Sequence, residues 1–276
     1  MYVNTNISST IARNNLSNVS DALNKSMERL SSGLRINSAA DDAAGLSIAT
    51  RMESQVTGMN QAYRNAQDGV SLIQTAEGSM GTVSDILQRV RELSVQADNG
   101  TNSSTDLTSI QGEIDQLVKE IDHIAKNSTF NGKSLLASTQ TVTLHISDKA
   151  TDTISVSLYD IQSASLGNAT DGYVSAIDVE STGGAQTAIK IVDAALNQIS
   201  GYRGELGATQ NRLGFISDNL TTAKTNTEAA QSRIQDTDMS AEMSELTKNQ
   251  VLQQATISML AKANQQPQSV LSLLQG

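Results

Sequence analysis

The sequence predicts a mainly α-helical protein, an elongated antiparallel helical bundle or coiled coil with a small β-hairpin region. Three observations predict it: heptad-spaced apolar residues at both ends of the chain, a composition too poor in large side chains for a thick core, and one short stretch of strand-like alternation near the middle. The 276 residues include two Phe, five Tyr, a single Pro (Pro267) and neither Trp nor Cys. Length alone would allow a sizeable core. So few large apolar groups favour narrow stripes that pair lengthwise, because a coiled-coil seam needs only two contact positions in seven.

Near the N-terminus Leu16, Leu23 and Leu30 recur every seven residues, with Val19, Met27 and Leu34 beside them at offsets of three and four. Near the C-terminus Met243, Leu246, Gln250, Gln253, Ile257, Leu260, Asn264, Leu271 and Leu274 follow the same alternation, diluted by amides. No Gly occurs in residues 1–32 or 215–275, so both ends read as uninterrupted helices until their last turns. Each stripe is too weak to hold a lone helix, since nucleation is costly, and the ends are expected to order on association.

Between them, Asp41-Asp42 offers caps for a long helix that passes Gly78 and Gly81 and breaks at Asn99-Gly100. Thr105-Asp106 starts a shorter helix with Ile110, Ile114, Leu117 and Ile121 on one face, and Asn131-Gly132 ends it. Residues 141–147 and 154–158 alternate apolar and polar, a hairpin signal, and 163–185 read as a surface loop. A last helical pattern continues from Ala188 to Met239.

The formal charge of −10 is unevenly spread. Residues 1–40 and 240–276 together carry six cations (Arg13, Lys25, Arg29, Arg35, Lys248, Lys262) against four anions (Asp21, Glu28, Glu242, Glu245), a balance of +2 that leaves −12 for the middle. Near-neutral ends can crowd together, whereas an acidic middle stays solvated. A chain of pI about 4.6 without a basic stripe is a poor nucleic-acid partner. Neither a basic, apolar leader nor a stretch long enough to span a bilayer is present, so function outside the cell would require a leaderless export route, with no membrane partner.

The residues predict no enzyme. The absence of Cys excludes Cys-rich metal sites, His123 and His145 do not form the helical pair around a glutamate that a metalloprotease needs, and no Gly-rich loop carries the Lys and hydroxyl that cradle phosphate. Asp41-Asp42 is explained by capping. No cofactor is expected.

The run Met27-Glu28-Arg29-Leu30-Ser31-Ser32-Gly33-Leu34-Arg35-Ile36-Asn37-Ser38-Ala39-Ala40-Asp41-Asp42-Ala43-Ala44-Gly45-Leu46 resembles the N-terminal signature of bacterial flagellins. Residues Asn249 to Ala255 and Pro267 to Leu274 resemble their C-terminal signature, and Gln88 to Leu93 and Ser128 to Gly132 extend the likeness. The resemblance implies a homopolymeric subunit of the extracellular flagellar filament, short because it lacks large outer domains. It further implies an export chaperone and a filament cap as partners. Residues 1–40 and 240–276 would form the filament-core domain, 41–140 and 186–239 the outer core domain with a spoke near 41–60, and 141–185 the hairpin and surface loop. Leu16, Leu23, Leu30, Leu34, Met243, Leu246, Ile257 and Leu260 would be the self-assembly seam, and Arg89, Leu93 and Glu113 would contact Toll-like receptor 5. A hook–filament junction protein and a signalling coiled coil are the rival readings.

Overall fold

The computed structural model describes residues 5–275, with side chains through Gln266. Two compact units emerge, one built from residues up to Gln55 together with those from Thr225, the other from Val56–Lys224. Helices α2 (Ala43–Ala97) and α4 (Gly184–Gln235) contribute to both.

The first unit is dominated by α1 (Ile7–Ser32) packed against α5 (Met239–Gln275). Helix α1 starts at Asn6, whose side chain accepts the Ser9 N–H at 3.1 Å, and stops at Gly33, which takes the left-handed φ of 74° that glycine tolerates. No Gly or Pro separates α4 from α5, and the helical pattern read as continuous to Met239 is in fact interrupted at Asp236–Asp238. Two competing interactions break it. Asp238 caps α5 by accepting the N–H groups of Ser240 and Ala241 at 2.9 and 3.1 Å, and Leu34 forms an antiparallel bridge with Asp236. In that bridge the Arg35 N–H reaches the Gln235 carbonyl at 2.6 Å and the Thr237 N–H reaches the Gly33 carbonyl at 3.0 Å.

The segment after α1 is tied down by its own polar residues. Asp41 pairs with Lys25 at 2.6 Å and accepts the Ser38 N–H and hydroxyl at 3.1 and 3.0 Å, while Asn37 donates to Glu28 at 2.6 Å. The Lys25 ammonium, aided by Ser38, holds the Asp41 carboxyl well below the usual carboxylate range. Asp42 then caps α2 through the N–H groups of Ala44 and Gly45. Gly45 is required by close approach: a Cβ there would lie 2.7 Å from the Cδ1 of buried Ile36.

The second unit is a bundle of α2, α3 (Ser104–Asn127) and α4 with short antiparallel strand pairs. On α2 the fully buried positions Ala62, Ala66, Ile73, Ala76, Met80, Val83, Leu87 and Val90 are spaced by threes, fours and one interval of seven. This 3.5-residue repeat keeps the stripe facing its partners along about 40 Å of the helix. Ala188, Val192, Ala195 and Ile199 continue the same rhythm on α4, and Ile114 and Ile121 on α3. Ser and Thr on the outer faces do not disrupt these helices because many return their hydroxyls to the carbonyl four residues back, as Ser71, Thr75 and Ser79 do in succession.

Helix α3 begins one residue before the expected Thr105, under a capping box in which Ser103 and Asp106 bond each other's backbone N–H. It ends at Asn127, not at Asn131-Gly132. That dipeptide has positive φ at both residues (47° and 76°) and turns the hairpin of β1 (Thr129–Phe130) and β2 (Lys133–Ser134), the geometry for which Asn-Gly is favoured. The expected hairpin forms from β3 (Gln140–His145) and β4 (Thr153–Leu158), with Val142 opposite Val156 and Leu144 opposite Ile154. It lies close on α2 because Gly58 and Gly69, three helical turns apart, leave room. A Cβ on Gly58 would sit 2.9 Å from the Cβ of Asp148, and one on Gly69 would collide with Leu144. Asn65, between them, donates to the His145 carbonyl at 2.9 Å.

Residues 163–185 are not merely a surface loop. They contain β5 (Gly167–Asn168), β6 (Gly172–Tyr173) and a 3-10 turn (Val174–Ala176), and Leu166, Val174, Ile177 and Val179 are buried in the core. Side-chain amides replace the missing ladder partners. Gln111 donates to the Ile177 carbonyl and accepts the Val179 N–H, and Gln198 makes the same two-way bond with Gly167.

Two outcomes test this description. Gly69→Val should lift the hairpin from α2 and cost about 1–3 kcal/mol in urea unfolding, as overpacking does; an unchanged midpoint would contradict the close approach. Because the folded-state value of Asp41 is depressed, its stabilisation is present above the ordinary carboxylate pKa and fades as pH falls below it. Wild type and Asp41→Asn should therefore differ in thermal stability at pH 7 and converge on acidification; curves that stay parallel would exclude the Lys25 pair as the cause.

Candidate assembly surfaces

The α1–α5 pair is antiparallel. Asn6 donates to the Ala263 carbonyl at 2.8 Å, Ser9 to Asn264 at 2.7 Å, Gln253 to Ser20 at 3.4 Å, and Arg29 lies 3.6 Å from Glu242. On α1 the positions that are not exposed are Ser9, Ala12, Leu16, Val19, Ser20, Leu23, Ser26, Arg29 and Leu30, a 3,4 alternation widened by Ser20 and Arg29. On α5 they are Glu242, Leu246, Asn249, Gln253, Thr256, Leu260 and Ala263, an unbroken 4,3 alternation. The two stripes are therefore coiled-coil seams, more than half of whose members are polar or small.

Residues expected in the seam divide between two faces. Leu16, Leu23, Leu30, Leu34, Leu246 and Leu260 are half-buried. Met243 and Ile257 stand outside, each 50% exposed. The side chains of Leu271 and Leu274 lie outside the described residues. Sequence reasoning assigned apolar residues inward by default and so missed Asn249 and Thr256, which are buried. Spacing could not have found them, since Met243, Leu246, Gln250, Gln253, Ile257, Leu260 and Asn264 keep an equally strict 3,4 alternation.

Large apolar side chains also remain outside the seam. Ile7, Ile11 and Met27 on α1, and Met239, Met243, Val251, Leu252, Ile257 and Met259 on α5, are 42–65% exposed. Scattered exposed apolar side chains are normal, but nine on two packed helices constitute surface that a soluble monomer rarely leaves uncovered.

In the second unit Arg89 pairs with Glu113 at 2.9 Å and with Glu92 at 3.1 Å, and Arg91 with Asp193 at 2.8 Å, all about half open to solvent or more. Leu93 is not with them on the surface; it is 2% exposed and belongs to the core. Among the described residues no helix is long and apolar enough to cross a membrane.

Known proteins match this chain in sequence. Residues 3–141 match the model of the bacterial flagellin N-terminal helical region, and residues 189–274 that of the C-terminal helical region. The flagellin of Bacillus subtilis (strain 168) is 47% identical over 303 residues, covering 99% of this chain and all of that one. The flagellar filament 33 kDa core protein of Treponema phagedenis is 42% identical over 285 residues with the same coverage. In fold alone the chain also resembles a putative flagellar hook-associated protein from Vibrio parahaemolyticus, with TM-score 0.62 at 13% identity over 71% of this chain and 100% of that one. Matched at both ends by the family's own regions and from end to end by full-length flagellins, the chain belongs to the bacterial flagellin family.

Proposed function

We propose that this flagellin, a structural subunit of the flagellar filament, polymerises through the apolar outer face of the α1–α5 pair, which neighbouring copies cover. The observation that carries the reading is the division of large apolar residues: Leu16, Leu23, Leu246 and Leu260 share the inner seam with polar and small side chains, while Met243, Ile257 and their neighbours are left outside. A contact between unlike patches of identical subunits need not close, and the open result is a helical polymer. On this reading residues 1–40 and 240–276 form the filament core, 41–60 include the spoke, and 41–140 with 186–239 form the outer layer. An export chaperone or the filament cap would act by covering the same apolar face before a neighbour does. The filament lies outside the cell, and the subunit reaches it by export.

A second surface has its own observation in favour. The solvent-facing pair Arg89–Glu113 presents fixed charges of both signs, which suits contact with Toll-like receptor 5, whereas Leu93 would contribute only by supporting the helix beneath.

Ile257→Asp should leave the α1–α5 pair and the helical circular dichroism intact yet abolish salt-seeded polymerisation. It removes about 1.5–3 kcal/mol of apolar burial per contact and introduces an unpaired carboxylate. Normal filaments would refute the outer-face assignment. Leu23→Asp, on the inner seam, should abolish polymerisation and also lower helix content. For the receptor, purified monomer should activate a receptor reporter and Arg89→Ala should weaken it; silence at high monomer concentration would remove that reading.

A further inference from the structure

Tyr159, just after β4, and Tyr202 on α4 stack face to face, with ring centroids 3.9 Å apart and planes only 4° from parallel. The chain holds just five tyrosines, so meeting of two of them across 43 residues is a built feature of the second unit. The Tyr159 hydroxyl donates to the Glu205 carboxylate, one turn beyond Tyr202 on the same helix. Neither ring is fully buried. Stacking alone explains a packing role. It does not explain why both partners carry phenols and one phenol faces a proton acceptor.

We propose that this pair is a site of oxidative cross-linking, in which a one-electron oxidant of the peroxidase class, driven by hydrogen peroxide, joins Tyr159 to Tyr202 through a carbon–carbon bond. Each phenol gives up one electron to the oxidant and its hydroxyl proton to a base, Glu205 for Tyr159 and water for Tyr202. The two radicals couple at ring carbons next to the phenol oxygens, in rings whose centroids the stack holds 3.9 Å apart. The hydrogens on those carbons then move to the oxygens as both rings regain aromaticity. Peroxide takes up the two electrons and two protons and leaves as two waters. Glu205 assists because a proton can pass along an existing hydrogen bond as the electron departs. The product staples the end of β4 to α4 in the folded chain, and an unfolded chain lacks the juxtaposition that makes it.

The test treats the purified full chain with a peroxidase and hydrogen peroxide. The expected product runs as a monomer under denaturing conditions, shows dityrosine fluorescence, and yields a proteolytic fragment joining the Tyr159 and Tyr202 peptides with the loss of two hydrogens. Tyr202→Phe keeps the stacked ring and should reduce that fluorescence to background, Tyr63→Phe and Tyr173→Phe should leave it unchanged, and urea-unfolded chain should not form the 159–202 fragment. Glu205→Gln should slow the reaction, and an unchanged rate would remove Glu205 from the proton-accepting role. Cross-links that join different copies, map to Tyr63 or Tyr173, or persist in Tyr202→Phe would overturn the proposal.

Discussion

Everything in the first unit depends on one seam, the antiparallel contact of α1 with α5. It is built to be only just sufficient. A coiled coil of this length with Leu or Ile at every contact would be stable alone and would leave nothing to drive further association. Here Ser9, Ser26, Asn249, Gln253 and Thr256 share the contact positions with Leu16, Leu23, Leu246 and Leu260, while Ile11, Met243, Ile257 and Met259 are exposed. Amides and hydroxyls in the seam fix the register of the two helices, as Gln253 with Ser20 and Ser9 with Asn264 show, but bury little apolar area. The free energy that a self-sufficient bundle would spend internally is left on its surface.

The second unit follows the opposite rule. Its helices turn their alanines, isoleucines and leucines inward along a continuous 3.5-residue stripe, and its irregular segment is held by glutamine amides and by buried Leu166 and Val174. Ion pairs such as Arg89–Glu113 and Arg91–Asp193 lie on its outside, where each is worth little to stability. One flagellin chain thus combines a unit that completes its own core with a unit that does not. The signature run Met27 to Leu46 belongs to the latter: Gly33, the Leu34–Asp236 bridge, the Lys25–Asp41 pair and the Ile36–Gly45 contact fix how the chain leaves α1 and enters α2.

Much of this was legible beforehand because helices and hairpins announce themselves by period. The long α2, its passage through Gly78 and Gly81, and the β3–β4 hairpin follow directly from spacing. Three features did not. The break at Asp236–Asp238 lacks Gly or Pro and depends on a bridge to Leu34, two hundred residues away in sequence. The turn at Asn131-Gly132 can end a helix or close a hairpin, and the choice is made by pairing of Phe130 with Lys133. Segment 163–185 looked solvated because its apolar residues are sparse, yet tertiary amide clamps let those few be buried. At the assembly surface, hydrophobicity alone did not divide α5 between its two faces, where Leu246 and Leu260 are half-buried and Met243 and Ile257 are exposed, since the rule that apolar residues face inward presumes a chain that completes its own core.

The central claim is that apolar residues outside the α1–α5 pair become covered only in the polymer. Oxidative footprinting of methionines, compared between monomer and filament, tests it most directly. Met27, Met243 and Met259, all at least half exposed in the single chain, should react readily in the monomer and become protected on polymerisation, while buried Met80 stays unreactive in both. Equal reactivity of Met243 and Met259 in monomer and filament would contradict the account.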